Sequence, residues 1–198
     1  MSSSAAEAKS LIRGRCRRER RGWAAQRQRA AATALAALAD EPPLREAATV
    51  AAYMGCDGEL DPAALLTRLR GAGTAILLPR TGPDHTLELA WAGDEADYAP
   101  TGPAGIPEPR GTACAPADAV PPAILLVPSV ALARDGGRLG RGGGYYDRFL
   151  PKARAAGWLV VGVCHGAHIF DQLPLESHDQ RVDALLSEDG WEIPEATP

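Results

Sequence analysis

No stretch of this chain approaches the roughly 20 consecutive apolar residues that a membrane span needs. Its apolar runs, Ala123–Val127 and Trp158–Val161 among them, are all far shorter. The N-terminus carries arginines but neither an apolar signal core nor a cleavage site, so no export is expected and a cytoplasmic location is. Four cysteines (Cys16, Cys56, Cys114 and Cys164) stand far apart without a Cys-x-x-Cys pair. Such spacing excludes a disulfide frame and reads as reduced thiols. Internal repeats are absent, and two Phe beside abundant Ala and Gly reflect coding bias as much as function. What is present is a 198-residue chain with 45 % hydrophobic residues, enough to bury a real core as one soluble globular domain.

Charge is divided unevenly. The formal net charge is −4, yet residues 9–29 hold nine Lys or Arg against Glu19 alone, so the remainder is acidic. The basic segment has no interleaved aromatics and no nucleic-acid motif. Electrostatics alone gives only non-specific affinity, so nucleic acid is not expected as a partner. The segment reads as a helix with a few arginines turned toward an anionic ligand.

Along the chain, Ser2–Ser4 offer an N-cap and residues 5–21 read as helix, with a break at Gly22. A second, alanine-rich helix runs to about Ala39 and ends at Asp40-Glu41-Pro42-Pro43. Residues 47–54 suit a buried strand. Asp61-Pro62 opens a helix to Arg70, closed by Gly71 and Gly73, and Thr74–Leu78 is the next strand. This β-α-β unit favours a parallel sheet with helices on its faces. Thr86–Trp91 alternates as a less buried strand, and Ala123–Val127 is strongly buried. A helix starting near Asp147, so that Pro151 falls close to its first turn, leads to strands at 158–163 and 182–187. The predicted architecture is a single three-layer α/β domain over residues 1–198, with N-terminal helices at 4–39 and an α/β core at 47–190, its central sheet mostly parallel and flanked by helices.

The chemistry concentrates between Gly136 and Asp147. Six glycines (Gly136, Gly137, Gly140, Gly142, Gly143 and Gly144) surround Arg138 and Arg141 between a buried strand and a helix. Glycine lets backbone N–H groups turn toward an oxyanion, and the helix N-terminus favours negative charge there. Arginines add bidentate donors, and Asp147 supplies a carboxylate for a magnesium ion bridging phosphates. The Walker A lysine is absent and the glycine spacing is not the dinucleotide fingerprint. The residues themselves point to a phosphate site and no further.

The run RLGRGGGYYDRFL, preceded by LLVPSVAL, resembles the signature of the 5-formyltetrahydrofolate cyclo-ligase (methenyltetrahydrofolate synthetase) family. Lys9-Ser-Leu-Ile-Arg13 is similar to that family's N-terminal Lys-x-x-x-Arg, and Tyr53–Asp61 to its first strand and the following loop. Leu78-Pro79-Arg80 and Ile106-Pro107-Glu108-Pro109 match shorter landmarks. Leu173-Pro-Leu-Glu-Ser-His-Asp179 with Val182-Asp183 resembles the closing motif. The chain departs where the family commonly has an aromatic residue and then a glutamine, holding His165 and His168 instead.

The resemblance implies a Rossmann-like fold, similar to the sugar-phosphate isomerase/CoA-transferase-like fold. It also implies a monomeric ring-forming ligase that converts 5-formyltetrahydrofolate and ATP, with magnesium, to 5,10-methenyltetrahydrofolate. On that basis Lys9, Arg13 and the segment Arg138, Leu139, Gly140, Arg141, Gly142, Gly143, Gly144, Tyr145 and Tyr146 contact ATP. Cys56, Glu59, Arg141, Gly142, Gly143, Gly144 and Tyr145 contact the folate. Arg141 and Lys9 serve catalysis, and Asp147 and Asp179 hold magnesium. Two other classes were weighed: a non-catalytic nucleotide or phosphosugar binder, and a zinc site drawn from Cys164, His165, His168, His178 and Asp179, for which no second close Cys/His pair completes the set.

Overall fold

The structure, a computed structural model, describes residues 2–93, 98–99 and 105–195. The side chains of residues 2–4 lie outside that description, and with them the N-cap expected of Ser2–Ser4. Four α-helices are described: α1 (Ser2–Gly22), α2 (Ala25–Ala37), α3 (Ala63–Gly71) and α4 (Tyr145–Ala155). The strands are β1 (Thr49–Ala51), β2 (Ala75–Thr81), β3 (Leu87–Trp91), β4 (Tyr98–Ala99), β5 (Glu108–Pro109), β6 (Ala113–Cys114) and β7 (Ala123–Pro128). After them come β8 (Ala131–Ala133), β9 (Arg138–Leu139), β10 (Leu159–Val163), β11 (Ile169–Phe170), β12 (Ala184–Ser187) and β13 (Gly190–Glu192).

The main sheet has the order β13-β12-β10-β7-β1-β2-β3-β6. Its five middle strands, β12 to β2, are parallel, while β13 and the β3–β6 pair add antiparallel edges. Alternation along each strand explains its two-sided burial. Val50, Ile76, Ile124, Leu126 and Val161 face one core with α2 and α3. Ala51, Leu77, Leu125, Val127 and Val160 face the other with α4. Helix α3 starts at Ala63 with Pro62, not Asp61, at its N-cap, and Asp61 Oδ1 accepts the Ala63 N–H at 3.0 Å from one residue further out. At its far end Gly73, at φ +96°, reverses the chain.

Three further expectations change. The strand anticipated over 47–54 has only three paired residues, because the chain leaves the sheet at Ala52 to build the site below. Helix α4 starts at Tyr145 rather than near Asp147, since Gly144 at φ +70° turns the backbone earlier; Pro151 therefore lies inside the helix, not in its first turn. A small sheet, β11-β8-β9, was not foreseen, its strands being too short for alternation to register. Helix α1 packs on it through Cys16 and Ile12 against Val130, Ala131 and Leu139.

Candidate active site

From β1 the chain passes through α3 to β2 on one side, and later returns to β7 on the other. Since α3 and α4 cover opposite faces, a crevice opens where the strand order reverses, at the carboxyl ends of β1 and β7. A cavity of about 320 Å³ lies there, bounded by Tyr53 and Met54 after β1, Pro128 at the end of β7, and Pro79 and Thr81 on β2. Leu87 and Ile106 extend its apolar wall. Two carboxylates reach it. Glu108 is occupied, accepting the Thr81 N–H and Oγ1 at 2.8 and 2.6 Å. Glu59 is half free: its Oε2 accepts from the Cys56 N–H and Sγ, each at 3.4 Å, while its Oε1 is buried without a partner. An orphaned buried carboxylate oxygen is costly unless a ligand completes it. Cys56 also touches the Arg141 guanidinium, and burial, reinforced by Glu59, pushes its thiol up to about 11. It stays a neutral thiol and acts as a hydrogen-bonding wall.

A second cavity of about 540 Å³ shares the wall Gly140, Gly142–Gly144 and Asp147 with the first. Its chemistry is opposite: Lys9, Arg13, Arg148, Glu176, His178 and Asp179 surround it. Lys9 and Arg13 are four residues apart on α1, one helical turn, so both face it. Arg13 Nε donates to Gly140 O at 2.8 Å, latching α1 to the loop. Gly142 takes φ +102°, which favours glycine, and its α-carbon faces the Arg13 guanidinium. Lys9 Nζ donates to Glu176 at 2.7 Å and Asp179 at 2.5 Å. Burial lowers the Lys9 pKa, but these bonds outweigh it and leave the ammonium above its ordinary value. Burial likewise pushes Asp179 up, and the Glu176 N–H with Lys9 hold it below the usual carboxylate value. Beneath the loop, buried Arg138 donates Nη2 to Asp147 Oδ1 at 2.5 Å.

The structure thus gathers the predicted residues around one shared wall. Lys9, Arg13, Leu139 and Asp179 lie at the polar cavity, Cys56 and Glu59 at the apolar one, and Arg138, Gly140, Gly142–Gly144 and Asp147 at both. Arg141 and Tyr145, expected against both ATP and the folate, line the apolar cavity alone, as does Tyr146, expected against ATP. Gly136 and Gly137 belong to neither. Gly136, at φ +83°, and Gly137 turn the β8–β9 hairpin, where the Ala133 N–H donates to Gly137 O and Ala133 O accepts the Gly136 N–H, so the cradle begins at Gly140. Asp147 and Asp179 border the same space, each already paired with a cation.

Among the described residues, the group whose ligand atoms converge within 4.8 Å is Glu176, His178 and Asp179, without Asp147. Cys164, His165 and His168 lie elsewhere: the two imidazoles pack on Trp23, their centroids 6.4 Å apart. Sequence reasoning missed Glu176 and Arg17. Glu176 sits three residues before Asp179 in the closing motif, and Arg17, whose Nη2 reaches Arg141 O at 3.5 Å, continues the four-residue spacing of Lys9 and Arg13.

The 5-formyltetrahydrofolate cyclo-ligase family model matches residues 5–188. A 5-formyltetrahydrofolate cyclo-ligase of Mycolicibacterium smegmatis is 34 % identical over 143 residues, covering 70 % of this chain and 73 % of that protein. The Escherichia coli K12 protein of the same name is 32 % identical over 154 residues, 74 % and 81 % of the two chains. Among solved structures, the 5,10-methenyltetrahydrofolate synthetase of Aquifex aeolicus superposes with a TM-score of 0.81 at 27 % identity, covering 96 % of this chain and 94 % of its own. That of Mycoplasma pneumoniae, 17 % identical with a TM-score of 0.71 over 91 % of this chain and 98 % of its own, shares the fold. An apolar crevice and a basic one, divided by a glycine-rich wall, accordingly sit on a framework that these comparisons identify: the chain belongs to the 5-formyltetrahydrofolate cyclo-ligase family.

Proposed function

We propose that this chain closes 5-formyltetrahydrofolate to 5,10-methenyltetrahydrofolate at the expense of ATP, as a single-domain monomer in the cytoplasm. The observation that carries the reading is the shared Gly140–Asp147 wall, which sets a flat apolar cavity with a half-free carboxylate against a basic one. All four cysteines are free, which fits a reducing compartment.

In this reading the pterin enters the apolar cavity, and Glu59 Oε1 accepts one of its ring N–H groups. The triphosphate lies in the polar cavity against Lys9, Arg13 and the N–H groups of Gly142–Tyr145. The formyl oxygen attacks the γ-phosphorus and ADP leaves. N10 then attacks the activated carbon, loses its proton, and phosphate departs. No covalent enzyme intermediate is required, so the protein's contribution is positioning and charge neutralisation. Arg141, which lines the apolar cavity between two residues of the shared wall, meets the phosphoryl group in transfer, and Lys9 neutralises its charge.

The donor set fits magnesium: Glu176 and Asp179 offer carboxylate oxygens that converge, and Asp147 borders the same cavity. Magnesium is held by one or two such carboxylates together with phosphates. Bound there, it would neutralise phosphate oxygens. Lys9, now clasped by Glu176 and Asp179, would then be free to turn to the nucleotide.

The test is to incubate pure protein with 5-formyltetrahydrofolate and Mg-ATP. One strongly absorbing methenyl product, one ADP and one phosphate should form per turnover. Binding of Mg-ATP without product would favour a non-catalytic nucleotide or phosphosugar binder. Product without ATP would contradict the mechanism.

A further inference from the structure

The Cys56–Glu59 turn brings two side chains to the apolar cavity, yet has little to hold its own shape. Its central residues, Asp57 and Gly58, take φ +52° and +71°. Within the turn one backbone bond closes it, Glu59 N–H to Cys56 O at 3.0 Å. After Ala52, whose N–H still bonds Leu77 O on β2, residues 53–62 belong to no strand, so no ladder runs on beside the turn. Two successive left-handed residues with one closing bond need support from elsewhere.

Besides the Arg141 contact to Cys56 Sγ, three contacts on Asp57 and Gly58 supply it. Asp57 meets Arg21 at 3.3 Å and Arg17 at 3.8 Å, but the Arg21 side chain is 71 % exposed and such pairs are screened. The α-carbon of Gly58 lies against the Arg20 side chain, so closely that an added Cβ would come within 3.2 Å of Arg20 Cβ. Finally, the Gly58 carbonyl faces His165 Nε2 at 3.2 Å. A carbonyl can only accept, so Nε2 carries the hydrogen. His165 is itself fixed: its side chain is 2 % exposed, Trp23 stands edge-on to it at 4.7 Å, and Nδ1 faces Glu188 Oε1 at 3.5 Å. Glu188 in turn accepts the Gly166 N–H at 3.1 Å, tying the residue after His165 to the end of β12. Of the three contacts, only this one is both polar and shielded from water.

We propose that His165 is a positioning residue for the reaction: by donating to Gly58 O it sets the Cys56–Glu59 turn and thereby the place at which Glu59 meets the folate. The inference rests on the reading that the apolar cavity receives the folate. His165 touches neither cavity's contents and acts through the turn.

The comparison uses His165→Phe, which keeps a ring against Trp23 but removes the donor, and His165→Gln, which restores an N–H near the Nε2 position. In the phenylalanine variant the KM for 5-formyltetrahydrofolate should rise about three- to tenfold, the range expected for one lost hydrogen bond. The KM for ATP should stay within twofold, and amide exchange at Glu59 should quicken. The glutamine variant should recover most of both changes. Equal rises in the two KM values, an unchanged folate KM with unchanged exchange, or glutamine no better than phenylalanine would each overturn the proposal. If the phenylalanine variant does not fold, the pair His165→Gln and His165→Asn makes the same comparison, the shorter asparagine failing to reach Gly58 O. Wild-type protein that forms no methenyl product would defeat the folate reading instead, while Glu59 amide exchange would still report on the clamp.

Discussion

Glu59 illustrates what a single residue carries. Its Oε1 is buried and unpartnered beside an apolar cavity, so the folded protein holds an acceptor that a ligand N–H completes. Glu59→Gln keeps the volume but offers an N–H₂ group where a donor must be met. The folate KM should rise ten- to a hundredfold, from roughly 1.5–3 kcal/mol for a charged hydrogen bond lost, while ATP affinity changes little. Steady-state kinetics with each substrate varied in turn checks this, and a parallel rise in the ATP KM would refute it. In the sequence this residue was legible through the family resemblance alone. A glutamate in a glycine-bounded loop reads as solvated, because the contacts that hold the neighbouring Gly58, from Arg20 and His165, come from far away along the chain. Lys9 and Arg13 were more legible, since a four-residue spacing in a helix puts both on one face by geometry.

At the scale of elements, the glycine-rich segment divides into two pieces with different duties. Gly136 and Gly137 turn a hairpin; Gly140–Gly144 form the wall between the cavities. Composition could not separate them, as both duties ask for the same residue. Gly142 is the position where the wall depends on glycine most directly, at φ +102° and facing the Arg13 guanidinium. Gly142→Ala imposes backbone strain of about 1–2 kcal/mol in that region, although its methyl would meet Arg13 only at ordinary contact distance. The expected result is a tenfold or greater rise in the ATP KM with a Tm lowered by only a few degrees, measured by nucleotide titration and thermal denaturation. A wild-type ATP KM would show that the loop adapts. The βαβ unit and the buried strand β7 were readable because their apolar runs are long and punctuated. The β8–β9–β11 sheet was not, because strands of two or three residues carry no period.

Across the whole molecule, buried titratable groups make stability depend on pH in two separable steps. Burial pushes the His168 imidazole below its ordinary 6.5, more than its bond to Glu19 at 3.2 Å pushes it back. The unfolded chain therefore takes up a proton that the folded one resists, and stability is lost as pH falls below about 6.5 until the folded pKa is reached. The carboxylates behave differently. For Asp179 and Asp135, burial pushes the pKa upward but hydrogen bonds, from the Glu176 N–H and Lys9 to the first and from Arg181 to the second, prevail and leave each below its ordinary 3.8. Their contribution is present above those ordinary values and is lost as pH drops through the lowered ones. Lys9, held above its ordinary 10.5, has the reverse sign: its contribution is full below that value and fades as pH rises past the folded pKa. The expected Tm profile is level near neutrality, slopes down below about pH 6.5, and steepens below about pH 4. His168→Gln removes the imidazole while an amide can still bond Glu19, so the first slope should flatten and the second remain. Thermal denaturation of both proteins from pH 3 to 8 decides it, and an unchanged slope between pH 6.5 and 5 in the variant would mean that another group titrates there.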